Sequence, residues 1–175
     1  MKINLAKYAG FCFGVKRAMD IVIETAEKNN TKIYTLGPLI HNEQVVAYLE
    51  NKNVFAIDSI ECIPDKSNVI IRTHGVPKRY YEILELKECI IIDATCPFVK
   101  KIHNIVHKSY NEGKQVIIVG DANHPEVIGI NGWCENSAHI ISSVEDFGKI
   151  NIEKPLCMVV QTTFSLKVWN KIKYS

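Results

Sequence analysis

No stretch of this 175-residue sequence approaches the roughly 18 consecutive apolar residues that a membrane-spanning helix requires. The opening residues, MKINLAKYAG, lack the apolar core of a secretion signal. No dense lysine and arginine patch stands out, and a net charge of +2 is too slight to argue for nucleic acid. Low-complexity segments and long linkers are missing too. So is C-x-x-C spacing, which excludes an ordinary zinc ribbon and a ferredoxin-type cysteine pattern. These absences give the expectation of a cytoplasmic chain with no membrane and no nucleic-acid partner.

What is there is a globular composition, 47% hydrophobic and 23% charged, in a chain long enough for one domain or two small modules. Six cysteines in a cytoplasmic context read as reduced thiols or metal ligands. Cys89 and Cys157 sit in strand-like runs, where cysteine acts as a small hydrophobe. Cys62 and Cys134 lie near loops and carry no motif.

Helix and strand patterns alternate along the chain. After Cys12, Val15, Ala18, Met19, Val22, Ile23 and Ala26 fall at helical spacing. KIYTLG, VFAID, NVIIRT, CIIIDAT, QVIIVG, HIISS and CMVVQT read as strands, with helices in NEQVVAYLENKN, PKRYYEILEL and the segment after Pro97. Strands separated by helices predict an α/β fold with mainly parallel sheets.

An internal repeat organises this pattern. Cys12 and Cys96 stand 84 positions apart and both open C-x-x-V-K-[KR]. Gly37, His41 and Glu43 recur 83 positions later as Gly120, His124 and Glu126. Thr73 recurs 89 positions later as Thr162. Anchors in one order at nearly one offset predict two copies of an α/β module, residues 1–96 and 97–175. The step from Thr73 to Cys96, repeated from Thr162, leads past Ser175, where a third copy would carry its cysteine.

The polar anchors all follow strands, the end at which open α/β sheets bind ligands. His41, His74 and His124 can donate charge-assisted hydrogen bonds to an anion, and a bound diphosphate favours their imidazolium form. Glu126 reads equally as a general acid near such an anion and as a carboxylate at a helix N-terminus. Glu43 holds the same local position, so the repeat alone does not choose between them. Cys12 and Cys96 precede helices, whose N-termini stabilise thiolates, and thiolates bind iron and zinc. His103 and His107, four residues apart, are read as a solvated helix face ahead of a metal site. Asp93 is read as orienting its turn.

Taken together, AGFCFGVKRAM, LGPLIHN, RTHGVP, DATCPFV, GDANHPEVIG and QTTFS resemble the 4-hydroxy-3-methylbut-2-enyl diphosphate reductases, from residue 8 to residue 165. The resemblance implies three α/β modules in a trefoil around a central 4Fe–4S iron–sulfur cluster. It implies reductive dehydroxylation of an allylic diphosphate to isopentenyl and dimethylallyl diphosphates. Cys12 and Cys96 match two of three cluster ligands, and one iron without a protein ligand acts as a Lewis acid toward the substrate hydroxyl. His41, His74 and His124 match substrate-binding histidines. Glu126 matches the proton donor, and Thr162 a threonine of the proton-delivery network and substrate site. Reduced ferredoxin or flavodoxin would supply electrons. The third cysteine and the Ser/Asn group that holds the diphosphate belong to a third module that this chain does not contain. Two rival expectations stand beside this one: an inactive diphosphate-binding fragment without cluster, and a zinc or thiol protein using Cys12, Cys96 and His103 or His107.

Overall fold

Val15, Ala18, Met19, Val22 and Ile23 recur at helical spacing and wind the chain into α1 (Phe13–Lys28), which buries Ala18, Met19 and Val22. Cys12 occupies its N-cap position, and no side chain caps the helix there. The computed structural model describes every residue except 1, 2, 5, 8, 41, 149 and 175.

Four strands, β1 (Ile33–Leu36), β2 (Val54–Ile57), β3 (Asn68–Ile71) and β4 (Ile90–Asp93), form one sheet in the order β2-β1-β3-β4. Helix α2 (Glu43–Glu50) joins β1 to β2, and α3 (Lys78–Leu86) joins β3 to β4. After α4 (Pro97–Asn111), β5 (Gln115–Val119), β6 (His139–Ile141) and β7 (Leu156–Val160) form a second sheet, β6-β5-β7. Every pairing in both sheets is parallel. The order β6-β5-β7 reproduces β2-β1-β3, so the sequence repeat is also a repeat of topology.

Helices cover both faces of each sheet, and this explains the unbroken apolar runs of the strands. Ile33 and Ile70 pack with Val22, Leu39 and Leu49 on one face of the first sheet. Val69 and Ile71 turn to the other face, against Val76 and Leu84. In the second sheet Val116 and Ile118 meet Val106, Val127 and Ile130, while Ile117 and Val119 meet Ile141 and Ile172. Each such aliphatic side chain contributes about 1.5–3 kcal/mol when fully buried.

Three features depart from the sequence reading. A seven-residue helix, α5 (Pro125–Asn131), follows His124 directly. Its β-branched residues and Gly129 hide the helical signal, but Pro125 at the first turn and the His124 cap fix it. A four-residue helix, α6 (Val144–Phe147), is too short to show a period, whereas α7 (Leu166–Lys173), after β7, follows the helical pattern of SLKVWNKIKYS. The third departure is a correction: His103 does not lie on a solvated face. It is 1% exposed, and its ring stacks on Trp133 at 5.1 Å between centroids. Trp133 arrives from a 3-10 turn (Gly132–Cys134) some thirty residues later, which helical spacing alone cannot foresee. His107 is half-buried, its Nδ1 3.3 Å from the Trp133 carbonyl.

Candidate active site

In both sheets the chain turns from strand to loop at the same end. Gly37 follows β1, Thr73 and His74 follow β3, Cys96 follows β4, His124 follows β5, and Thr162 follows β7. The repeat is kept in atomic detail there. A Cβ at Gly37 would lie 2.4 Å from Nη1 of Arg72, the residue just after β3. A Cβ at Gly120 would lie 2.8 Å from Oε1 of Gln161, the residue just after β7. Each glycine leaves room for the side chain that ends the neighbouring strand.

Gln161 is buried and uses that room. Its Oε1 accepts from the Asp121 amide at 3.0 Å, and its Nε2 donates to Thr163 Oγ1 at 2.9 Å. It thus ties the loop after β5 to the loop after β7. Glu126 sits between these loops, 1% exposed. Its Oε1 accepts from the Thr162 amide at 2.6 Å and its Oε2 from the Thr162 hydroxyl at 2.7 Å. Each carboxylate oxygen keeps a second acceptor site, and the Thr162 hydroxyl keeps its own. One residue at the end of β7 therefore holds both oxygens of the carboxyl.

His124 caps α5, its Nδ1 accepting from the Glu126 amide at 3.1 Å. That bond leaves Nε2 as the nitrogen carrying hydrogen in the neutral ring. His74 from the first sheet's loop meets His124 edge to face, ring centroids 5.4 Å apart and planes at 87°. The two sheets therefore bring their strand ends, and two of the three sequence-identified histidines, together. His41 lies outside the described residues.

Cys12 and Cys96 occupy the N-cap positions of α1 and α4, helices of 16 and 15 residues with no acidic side chain in either first turn. Cys12 is exposed and Cys96 half-buried. A Cβ at Gly14 would lie 2.8 Å from the Cys96 sulfur, so the glycine two residues past Cys12 makes the gap that Cys96 fills. Arg17 Nη1 also reaches across from α1 to the Thr95 carbonyl at 3.2 Å. The Cys96 amide donates to the Thr73 carbonyl at 2.9 Å, joining this thiol to the base of the His74 loop. Asp93 orients the turn, accepting from the Thr95 amide at 2.9 Å and from Lys100 at 2.6 Å. Burial pushes its carboxyl up, but these donors together outweigh that and hold it below the ordinary range. Nearby, burial and then the Asp93 charge push the Tyr81 phenol up to about 12.

Cysteine sulfur is the ligand class that iron–sulfur clusters use, and Cys12 and Cys96 offer it from the N-termini of α1 and α4, with Gly14 of α1 packed against the Cys96 sulfur. Among the described residues no three His, Cys, Asp or Glu side chains converge as a metal site. His103 is enclosed by Gly75 and Trp133 rather than presented to the thiols. Cys134 is buried, donates to the Asn131 carbonyl at 3.2 Å, and has its thiol pushed up by burial, as suits a core residue. The sequence reading missed Gln161. The signal for it was its place just before Thr162, matching Arg72 before Thr73.

The model of the LytB protein family matches residues 3–175. The chain belongs to the LytB family. Among LytB-family relatives, the 4-hydroxy-3-methylbut-2-enyl diphosphate reductase of Clostridioides difficile (strain 630) is 50% identical over 174 residues. That alignment takes in 98% of this chain and 62% of the relative. The enzyme of the same name from Caldanaerobacter subterraneus subsp. tengcongensis is also 50% identical, over 98% of this chain and 61% of that one. The E-1-hydroxy-2-methyl-but-2-enyl-4-diphosphate reductase structure from Plasmodium falciparum superposes with a TM-score of 0.90 at 35% identity. It covers 96% of this chain and 54% of that one. The structure of (E)-4-hydroxy-3-methyl-but-2-enyl diphosphate reductase, the terminal enzyme of the non-mevalonate pathway, superposes with a TM-score of 0.84 at 40% identity, over 97% of this chain and 61% of that one. The chain thus spans about three-fifths of the length of the curated relatives it matches. No helix among the described residues is long and apolar enough to cross a membrane.

Proposed function

We propose that this LytB-family chain supplies two modules, residues 1–96 and 97–175, of a 4-hydroxy-3-methylbut-2-enyl diphosphate reductase organised as a three-module trefoil. The observation that carries the reading is Glu126, buried and held through both oxygens by Thr162, its amide donating to His124 of the His74–His124 pair. A proton donor and an anion-binding pair at one joint suit an allylic diphosphate with a leaving hydroxyl.

In the proposed reaction the allylic C–O bond breaks, two electrons enter the carbon skeleton, and two protons are taken up. One proton goes to the departing oxygen, giving water. The other goes to the allylic carbon frame, giving isopentenyl or dimethylallyl diphosphate. His74 and His124, with His41, donate to the diphosphate and fix its position. Glu126 holds a proton at its carboxyl, and Thr162 fixes the orientation of that carboxyl through two hydrogen bonds. Cys12 and Cys96 would hold the 4Fe–4S cluster. When bound, that cluster supplies electrons, drawn from reduced ferredoxin or flavodoxin, and a Lewis-acidic iron.

Anaerobic reconstitution of the full three-module enzyme with iron and sulfide, followed by mixing with reduced methyl viologen and substrate, tests the reading. The expected result is broad visible iron–sulfur absorbance, lost in Cys12→Ser and in Cys96→Ser, and substrate-dependent oxidation of the dye, lost in Glu126→Gln. Diphosphate binding without iron uptake would overturn it in favour of an inactive diphosphate-binding module. Stoichiometric zinc in the purified chain would overturn it in favour of a zinc or thiol protein.

A further inference from the structure

The loop that carries His74 belongs to the first module, yet much of its support comes from the second. A Cβ on Gly129 would lie 3.4 Å from the His74 carbonyl, so α5 approaches this loop backbone to backbone. A Cβ on Gly132 would lie 2.3 Å from the Pro77 Cβ, at the loop's far end. Between them the Trp133 Nε1 donates to the Val76 carbonyl at 3.0 Å. Gly75, at φ +69°, lies so close to His103 that an added Cβ would stand 2.3 Å from the imidazole Cε1. The loop therefore rests on an imidazole that itself rests on an indole, with an interplanar angle of 22°.

The indole is fixed on several sides. His107 approaches it edge-on at 5.8 Å, with Nδ1 directed at the Trp133 carbonyl, and Tyr81 approaches edge-on at 5.9 Å. The His103 Nε2 is buried with no hydrogen-bond partner, so shape and not bonding at that nitrogen seats the ring. A tryptophan donating across the junction between two sheets, on a rigid stack, sets the height of a neighbouring loop more firmly than apolar contact alone.

We infer that Trp133, stacked on His103, is a positioning residue that holds loop 74–77 so that His74 meets His124. The inference rests on the proposed anion-binding role of those histidines. It adds a residue whose effect on the site passes entirely through the loop, since Trp133 hydrogen-bonds Val76 rather than either histidine. The site is thereby coupled to the junction between the two modules.

Trp133→Phe keeps an aromatic ring for the stack and removes the Nε1 donor together with the rest of the indole's second ring. Three measurements on the chain and this variant decide the matter: hydrogen exchange by mass spectrometry, calorimetric titration with inorganic diphosphate, and the melting temperature. Loss of one hydrogen bond to the loop is expected to speed exchange at 74–77 about three- to tenfold. Amides of β7 that open by local fluctuation should exchange as in the parent, and the melting temperature should fall by no more than about 6 °C, the global share of the same loss. Diphosphate affinity should weaken by a similar factor. Unchanged exchange at 74–77 overturns the inference whatever binds. Faster exchange spread evenly over both sheets overturns it as well, because that marks a merely structural residue. Faster local exchange with unaltered diphosphate affinity refutes the positioning role. If the parent chain itself binds no diphosphate, the anion-site reading falls, and the exchange result alone decides whether Trp133 holds the loop.

Discussion

Thr162 donates to both oxygens of Glu126, through its amide at 2.6 Å and its hydroxyl at 2.7 Å. One residue at the end of β7 therefore sets the plane and the tilt of a carboxyl carried by α5. Gln161, beside it, holds the preceding loop in register. The acid and its support come from separate strand ends, which is how a parallel sheet concentrates chemistry that no contiguous motif contains.

Thr162→Val removes the hydroxyl donor and keeps the amide. It leaves one oxygen of a buried carboxyl without its protein partner, and such an orphan costs about 1–3 kcal/mol. A fall of that size in urea unfolding free energy is expected, together with reduced turnover. Glu126→Gln should act differently. Its amide can still face Thr162, whose hydroxyl can accept as well as donate, so stability changes little. Turnover should fall by about 10²–10⁴, the ordinary worth of a general acid, with substrate still bound. Turnover of Glu126→Gln at the parent rate would remove Glu126 as the proton donor.

Gly14 offers a test of the cysteine pair. An alanine there would press its Cβ to 2.8 Å from the Cys96 sulfur. Gly14 lies in the first turn of α1, where alanine's gain in helix propensity, at most about 1 kcal/mol, offsets part of that crowding. Melting is therefore expected to shift little while Cys96 is displaced. After anaerobic reconstitution, Gly14→Ala should show weaker iron–sulfur absorbance than the parent. Full absorbance in the variant would mean that Cys96 need not keep its place against α1 to hold iron.

His103 predicts an acid-sensitive fold. Burial lowers its pKa from 6.5 to about 4, the Asp93 charge opposing and Lys100 assisting. Between those values the unfolded chain takes up a proton that the native chain refuses. Stability is therefore full above about pH 6.5 and falls as pH drops toward 4, by on the order of 3 kcal/mol in all. Below that the His103 contribution levels off, while carboxylates such as Asp93 begin to add their own losses. Urea titrations at several pH values between 4 and 7.5 should show the slope, and His103→Phe should flatten it. An equal slope in both proteins would assign the acid sensitivity elsewhere.

Much of this was legible in the residues. Parallel α/β architecture followed from apolar runs such as NVII and QVIIV, because strands covered on both faces need no alternation. The repeat located Cys12, Cys96, His124, Glu126 and Thr162 at strand ends or helix starts, because each is fixed by a local strand-to-helix turn. His103 was not legible. Its burial depends on Trp133 and on Gly75, one from each side of the sequence, and spacing on α4 carries no information about either. Gln161 escaped for a similar reason: its partners, Asp121 and Thr163, become neighbours only when β5 and β7 pair. The short α5 was hidden by residues of low helix propensity that tertiary contacts override.

Two glycines with nearly the same backbone separate strain from packing. Gly75 has φ +69° and Gly113 has φ +75°, both in the left-handed region that alanine enters at a cost of about 1–2 kcal/mol. Around Gly113 nothing lies within 4 Å of an added Cβ, so Gly113→Ala should lose that strain and no more. At Gly75 the Cβ would meet the His103 ring at 2.3 Å. The ring is 1% exposed and stacked on Trp133, so it has little room to give. Overpacking of this kind adds about 1–3 kcal/mol. Gly75→Ala is therefore expected to lose roughly 2–5 kcal/mol by urea unfolding, clearly more than Gly113→Ala, and to weaken diphosphate binding, which Gly113→Ala should leave alone. Equal losses at the two positions would mean that the imidazole yields freely, and the stack would then be too soft to set the loop that carries His74.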